Sequence, residues 1–402
     1  MSETLLRPRA LGIALLAALL IVFPFLHTWP FFGEFIGPFR TFQAASLAYW
    51  LVILLGMNLL TGYSGQISLG HAALVAVGAY ITAILFDQCA VPLGLAILVA
   101  GLATGLVGAV IIGVPAVRLS GPYLAIATFS LVIALPQILK IDIDVAGLNI
   151  DLTRWTKGTR GISVGEIEPL GLVDGLIDAR QWLYYMSMLT AAIMTFLCWN
   201  LIHSRIGRAF VGLRDSEIAA QQMGINVRLY KALAFGISSC YAGVGGGLFV
   251  MAQGVISPGS MDVLTSINLL VAIVIGGLAT ILGSIFGAFY LTFQGELISD
   301  LAPHISRVVP EQIVQDPETL RGVIFGSVLV ITMIAFPRGL AGAIHNLLRP
   351  ASSRRPGPPN LRRLVSDLRA MLLAARLKLL RQVANSETSR TDPGQESPDH
   401  PD

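Results

Sequence analysis

Residues 41–60 read Thr41-Phe-Gln-Ala-Ala-Ser-Leu-Ala-Tyr-Trp-Leu-Val-Ile-Leu-Leu-Gly-Met-Asn-Leu-Leu60, a stretch with no formal charge. The run continues well beyond it: from 41 to 117 the only formally charged side chain is Asp87. In hydrocarbon every backbone amide and carbonyl must be satisfied within the protein, so a run of this kind reads as helix. It is long enough for three bilayer crossings at about 20 residues each. A soluble core helix keeps one polar face, and these segments have none. Composition points the same way, with 54% hydrophobic and 13% charged residues where soluble domains carry about 25% charge.

Working outward, apolar runs predict helices at roughly 10–26, 42–60, 71–87, 93–114, 122–139 and 182–203, then 232–253, 263–279, 281–294 and 321–337. Arg7 and Arg9 precede the first run, and no small-x-small cleavage site follows it, so it reads as an uncleaved helix with a cytoplasmic N-terminus. Six crossings then return the chain to the cytoplasm at His203. The next loop carries Arg205, Arg208, Arg214, Arg228 and Lys231 against Asp215 and Glu217, as the positive-inside rule requires. The loop 141–181 falls outside and is acidic, with seven Asp or Glu against four Arg or Lys.

The tail 348–384 holds nine basic residues and one acid, Asp367, which places it in the cytoplasm too. An even number of crossings must therefore follow Lys231. That splits the long block around Gly276-Gly277 and Gly283 into two short crossings or a re-entrant pair. The fold class is an all-α polytopic membrane protein of about ten transmembrane helices, with eight as the alternative count and both termini cytoplasmic. Residues 1–346 form the transmembrane domain. Within 347–384, Leu361, Leu364, Val365, Leu368, Leu372, Ala375 and Leu379 share one helical face among arginines. Two readings stay open there, a helix lying on the anionic inner leaflet or one solvated or packed on a partner. From 385 to 402, Ser, Pro and Asp content reads as disorder.

Two segments carry chemistry. Asn58-Leu-Leu-Thr-Gly-Tyr-Ser-Gly-Gln-Ile-Ser-Leu-Gly-His71 sets three glycines and a set of polar side chains between two apolar helices. Non-helical backbone at membrane depth is tolerated where it is buried in protein or lines a wet cavity. Gly62, Gly65 and Gly70 permit a break, and Asn58, Ser64, Gln66, Ser68 and His71 are the candidate substrate-pathway residues. The competing reading is close helix packing on small residues, with His71 a structural histidine; Gln66 is larger than that needs. The second segment, 207–224 with its continuation to Asn226, predicts a cytoplasmic helix–glycine–helix elbow. Asp215 or Ser216 caps a short helix, Gly224 closes it in the left-handed region, and Asn226 caps the next helix. Ile218, Met223 and Ile225 are then presented as an apolar docking surface. Asp215, Glu217, Ala219, Ala220 and Gly224 are the candidate coupling residues.

Several classes are excluded by what is missing. No Gly-x-x-x-x-Gly-Lys-Ser/Thr phosphate loop occurs, so ATP is not bound in the usual way. His-Glu-x-x-His is absent, no catalytic residues or cofactors are assigned, and the chain is not read as an enzyme. Cys89, Cys198 and Cys240 lie far apart, which supplies neither a disulfide framework nor a metal site. No compact basic face with interleaved aromatics precedes the tail, so nucleic acid is not an expected partner. Ion-coupled carriers keep ionisable groups in their spans, and these spans have almost none, so the driving force is expected from outside the chain. A self-contained channel or secondary carrier is the alternative.

The run Asn58 to His71, continued by Ala72-Ala73, resembles the signature of the LivM branch of the branched-chain amino-acid ABC permeases, the LivH/LivM permease family. Arg118-Leu-Ser-Gly-Pro-Tyr-Leu-Ala-Ile-Ala-Thr128, Gly207 to Gly224, and Gly276-Gly-Leu-Ala-Thr-Ile-Leu-Gly-Ser-Ile-Phe-Gly287 are similar to that family in the same order. The resemblance spans about 47–340. It implies a multi-pass permease subunit of an importer in the bacterial inner membrane, working by alternating access. Its partners would be two cytoplasmic ABC ATPase subunits docked on the elbows, a paralogous permease and an extracytoplasmic solute-binding protein. Membrane lipid surrounds the assembly. Branched-chain amino acids are the expected cargo, with urea or short amides, nucleosides and sugars as alternatives. Two departures stand out. Ile218-Ala-Ala-Gln-Gln-Met-Gly224 resembles the Glu-Ala-Ala-x-x-x-Gly loop of importer permeases but has isoleucine where that glutamate stands, with Glu217 one residue early. Lys157-Gly-Thr-Arg-Gly161 replaces a Gly-Gly-Ser/Thr-Asn-Gly run in the external loop.

Overall fold

The computed structural model describes residues 38–305, apart from 120, 141–142, 146–147, 151 and 166–177, together with 326 and 339–342. The predicted helices at 10–26 and 321–337, the tail 347–384 and the stretch 385–402 lie outside the described residues.

Long helices dominate. Helix α1 (Pro38–Met57) continues through a wide π-helical turn, Asn58–Tyr63. Helix α2 (His71–Ala83) ends in a second wide turn, Ile84–Gln88, and α3 (Leu93–Val107) in a third, Gly108–Gly113. Helix α4 (Pro122–Ile138) starts from Gly121 with proline at its first position, where a missing amide hydrogen costs nothing. A hairpin of β1 (Ile143–Val145) and β2 (Leu148–Ile150), then α5 (Leu152–Thr156) and β3 (Ile162–Ser163), make up the following excursion. Helix α6 (Ala179–His203) opens with a capping box between Asp178 and Gln181. Short helices α7 (Arg205–Asp215) and α8 (Glu217–Gln222) precede α9 (Val227–Gln253). Strand β4 (Val255–Ile256), α10 (Val263–Gly276) and α11 (Ile281–Ile305) complete the order.

Among the described residues, five helices are long and apolar enough to span a membrane: Phe39–Tyr63, His71–Gln88, Leu93–Ala116, Ala179–His203 and Val227–Gln253. The 25 residues of the first reach about 37 Å at 1.5 Å per residue, more than the ~30 Å hydrocarbon core. Two shorter apolar helices, Pro122–Ile138 and Val263–Gly276, accompany them. The sides that face outward are themselves apolar. Leu95, Leu98, Leu102 and Leu106 line α3, and Leu189, Ile193 and Phe196 line α6, all exposed. Water would oppose such a surface, whereas lipid accepts it.

Helix α9 is the hub, packing on α1, α2 and α3. Its apolar window is 78% buried, against 22% for α6. Glycine makes this possible. Gly246 sits against the Val75 carbonyl of α2 and Gly243 against Thr104 of α3, so a Cβ at either would run into its neighbour. In lipid, association depends on such close backbone approach more than on hydrophobicity. Tyr49 and Phe249 meet edge-on at 5.5 Å and 89°, and Tyr241 Oη donates to the Met194 carbonyl at 2.9 Å, which ties α9 to α1 and α6.

The block 263–294 divides into two helices near the glycines expected to split it. Helix α10 ends at Gly276, the chain turns over Gly277–Thr280, and α11 runs back antiparallel, with Gly276 against Gly283 and Gly287 against Ala272. Helix α11 is longer than expected and reaches Ile305. Its Glu296 accepts from Gln43 Nε2 at 2.7 Å and pairs with Arg40 at 3.4 Å on α1.

At the end of the bundle remote from the elbow, β3 pairs antiparallel with β4, Ile162 opposite Ile256 and Ser163 opposite Val255. Lys157 meets Asp87 at 3.4 Å, and Gln88 Nε2 donates to the Trp155 carbonyl at 2.9 Å. Residues 161–165 spell Gly-Ile-Ser-Val-Gly, the letters of a hydrolase nucleophile elbow. Such an elbow turns sharply at its serine. Here strand contact continues past Ser163, with Val164 N donating to the Gly254 carbonyl at 2.8 Å, so these letters do not form that turn.

Candidate functional site

The break foreseen between the second and third predicted helices is present. The wide turn at Asn58–Tyr63 closes with Ser64 N donating to Leu59 O and Gln66 N to Leu60 O, both at 3.1 Å. Gly65 takes φ +73°, a value that L side chains rarely adopt. The backbone then runs without helix until His71 starts α2.

The polar side chains of the break turn inward. Ser64, Gln66, Ser68 and His71 are buried, while Gly65 and Ile67 face out. Ser64 Oγ donates its one proton to the Leu60 carbonyl at 2.7 Å. It can then only accept from Gln66, whose Nε2 lies 3.1 Å away. That fixes the amide orientation and leaves Gln66 Oε1 buried with no donor among the described residues. Ser68 Oγ accepts from Gly70 N at 3.3 Å. His71 Nε2 lies 3.3 Å from the Ile53 carbonyl, and its Nδ1 is the second buried atom here without a partner among the described residues. Buried polar atoms are normally satisfied, so these two acceptors stand open to a partner from outside the described residues, as do the hydroxyls of Tyr80, Thr82, Thr104, Ser187, Ser238 and Ser239 along the helices.

Asn58 has a different task. Its Oδ1 accepts from Ala279 N at 2.9 Å, and its Nδ2 donates to the Thr280 carbonyl at 2.7 Å and to Ser284 Oγ at 3.0 Å. Both amide protons are spent, and what remains for a solute is one lone pair. The side chain braces the α10–α11 turn against the break. Gly62 lies so close to Ala279 that a Cβ would be 2.5 Å from its nitrogen. Ala279 itself holds φ +57°, a strained value for a residue other than glycine.

The elbow follows its sequence closely. Ser216, the second of the two expected caps, accepts from Ala219 N at 3.2 Å and starts α8. Gly224 closes it at φ +81°, and Asn226 Oδ1 caps α9 by accepting from Leu229 N at 3.3 Å. Ile218 and Met223 are 76% and 84% exposed, and Ala220 is 5% exposed beneath them. Ala219 lies on the exposed side with them. Ile225 departs from expectation: it is half-buried, because it turns back onto α7 near Gly212. Asp215 sits at the α7–α8 corner, paired with Arg214 at 3.2 Å. Glu217 points inward to Lys231 at 2.7 Å, a lysine 4% exposed at the foot of the hub helix.

Four residues that reading the sequence did not single out hold these parts together. Thr128 Oγ1 accepts from Leu69 N at 3.1 Å, and Ser266 Oγ from Ala72 N at 3.2 Å. Lys231 anchors Glu217. Arg214 Nη1 donates to the Gly62 carbonyl at 3.2 Å, so the elbow touches the break. Thr128 closes a motif already quoted, which was a usable signal. Arg214 and Lys231 entered only as positive charges, and nothing local marks their partners.

Comparisons with known proteins agree with this anatomy. Residues 40–333 match the family described as branched-chain amino acid transport system / permease component. The high-affinity branched-chain amino acid transport system permease protein LivM of Escherichia coli K12 is 29% identical over 334 residues, covering 78% of this chain and 71% of that protein. The protein of the same name from Salmonella typhimurium LT2 is 27% identical over 319 residues, 77% and 71% respectively. The autoinducer 2 import system permease protein LsrC of Escherichia coli O9:H4 is 28% identical over 110 residues, only 26% of this chain and 32% of that protein. No solved structure matches.

Proposed function

Because this chain belongs to the family of permease components of branched-chain amino acid transport systems, and is a multi-pass permease subunit of an ABC importer in a bacterial inner membrane, we propose that its cargo is a branched-chain amino acid. The breadth of likeness supports that cargo. The two LivM proteins align over more than three quarters of the chain, whereas LsrC aligns over 26%.

The elbow carries the mechanism. A short helix with Ile218 and Met223 exposed over a buried Ala220 is the apolar knob that a cytoplasmic ATPase would seat in a groove. Two such ATPases, a paralogous permease and an external solute-binding protein complete the assembly. The binding protein delivers the solute to the 141–181 excursion; of the second region expected to receive it, 295–320, the residues up to Ile305 belong to α11 and the rest lie outside the described residues. Ser64, Gln66 and Ser68 line the path, with the Gln66 carbonyl oxygen receiving the solute's ammonium. Asn58 and His71 hold the walls. ATP-driven closure of the ATPases moves the elbow through Asp215, Glu217, Ala219, Ala220 and Gly224, and the path opens to the other side. The chain itself catalyses nothing.

The test is reconstitution with the partner subunits. Ile218→Asp with Met223→Asp removes the docking surface without touching the spans. The ATPase then fails to co-purify while the permease still inserts, and labelled leucine uptake is lost. Retention of the ATPase by the double variant would refute the docking role. Uptake of urea in preference to leucine, isoleucine and valine by the intact complex would refute the cargo.

A further inference from the structure

We propose that Arg214 is a positioning residue, a strut through which the elbow holds or releases the break in α1. This rests on the elbow being the ATPase-docking element. It adds the step by which motion there reaches the solute path.

The guanidinium is held from two sides. Its Nε and Nη2 both lie 3.2 Å from Asp215 Oδ1, at the corner between α7 and α8. Its Nη1 donates to the Gly62 carbonyl at 3.2 Å, across 152 positions of sequence. Gly62 lies in the last turn of the α1 extension, where carbonyls lack intrahelical partners and the helix end is negative. The stem packs as closely as the head. A Cβ on Gly65 would fall 2.8 Å from Arg214 Cγ and 3.1 Å from its Cα. Gly65 is therefore needed twice, for its positive φ and for the space that Arg214 fills.

Geometry explains why arginine stands here. A planar fork serves a carboxylate on one edge and a carbonyl on the other, which a lysine ammonium cannot do from the same stem. The side chain of Arg214 is 37% exposed and that of Asp215 65%. The pair with Asp215, open to water, adds little to stability and is for that reason easily made and broken, while the bond to Gly62 is part-buried. The pair suits a switch better than a brace. Displacing the elbow moves Arg214, and Gly62 with its neighbours Ser64 and Gln66 is freed or clamped accordingly.

The experiment uses the complete importer in proteoliposomes with labelled leucine. It compares wild type with Arg214→Ala, Arg214→Lys and Gly65→Ala. The readouts are co-purified ATPase, leucine imported per ATP hydrolysed, and amide hydrogen exchange across 61–66. With Arg214→Ala and Gly65→Ala the ATPase stays bound, leucine per ATP falls at least about fivefold, the low end of coupling between sites, and exchange across 61–66 rises. Arg214→Lys falls between them and wild type. Leucine per ATP within about twofold of wild type, too small for such a coupling, overturns the proposal. So does a proportional fall in complex yield, hydrolysis and uptake at constant ratio, which marks a structural residue only. Loss of the ATPase from the Ile218/Met223 double variant alongside a normal ratio in Arg214→Ala sinks the strut and leaves the docking reading intact.

Discussion

Glu217 and Lys231 make a pair whose two halves are unequal, and the inequality sets a measurable asymmetry. The ammonium and carboxylate are 2.7 Å apart, with side-chain exposures of 5% for the lysine and 47% for the glutamate. Removing the glutamate strands a cation that water barely reaches. Breaking a fully buried pair costs about 3–5 kcal/mol; with one partner half in water, about 2 kcal/mol is the expected figure. Replacing Lys231 by methionine leaves an acid that water can solvate, and the loss falls to about 1 kcal/mol or less, the value of an exposed pair. The double variant should match Lys231→Met, since the stranded charge is gone. Local opening of the elbow reads these energies directly, because exchange of the amides around 214–231 scales with the opening constant. About 2 kcal/mol corresponds to roughly thirtyfold faster exchange for Glu217→Ala, and 1 kcal/mol to about fivefold for Lys231→Met. Equal acceleration by the two single variants, or the reverse order, would refute the assignment of burial to the lysine.

Gln66→Ala deletes the unsatisfied acceptor, so leucine uptake should drop by about tenfold, the worth of one hydrogen bond to a charged group, while the ATPase still co-purifies; unchanged uptake kinetics would remove Gln66 from the path. At Gly224 an added Cβ meets no neighbour within 4 Å, so the first effect of Gly224→Val is conformational, about 1–2 kcal/mol or more for a branched residue at positive φ; solute-stimulated hydrolysis should stop in a chain that still inserts, and normal stimulation would count against the elbow. Gly246→Val is the steric counterpart, since a Cβ there collides with the Val75 carbonyl, and it should cost folded protein in a detergent-extraction assay where Gly224→Val does not.

Sequence reading went furthest where a local physical rule decides the outcome. Charge-free runs gave the five long spans found among the described residues, and the glycines at 62, 65 and 70 gave the break. Ser216, Gly224 and Asn226 gave the elbow almost atom by atom, because caps and positive φ are short-range properties. The glycines at 276, 277 and 283 marked where 263–294 would divide, and the turn at Gly277–Thr280 lies among them. The wide turns escaped notice, since one extra residue per turn leaves no mark in an all-apolar segment. The hub position of α9 escaped too, because hydrophobicity finds spans without ranking them; the small residues 243–247 carried that signal. Asn58 to Ala279, Arg214 to Gly62 and Lys231 to Glu217 are contacts between residues far apart in sequence or off helical spacing, and one sequence cannot pair them. Ile225 was misplaced because exposure was inferred from the elbow alone, without the face of α7 beside it.

The wide turn at Asn58–Tyr63 has a consequence for how this helix tolerates insertion and deletion. An i→i+5 turn houses one residue more than an α-helix needs. Excising a single leucine there, Leu59 or Leu60, would let the ladder close in ordinary α-helical register. The deletion removes only the surplus residue, so both flanking segments keep the facing they have now, with Gly65 against Arg214 and Gln66 beside Ser64. The same deletion in an ordinary α-helical stretch of α1 would turn everything beyond it by about 100° and draw it back by about 1.5 Å. This spot can therefore lose one residue without a change of face, which the rest of the helix cannot.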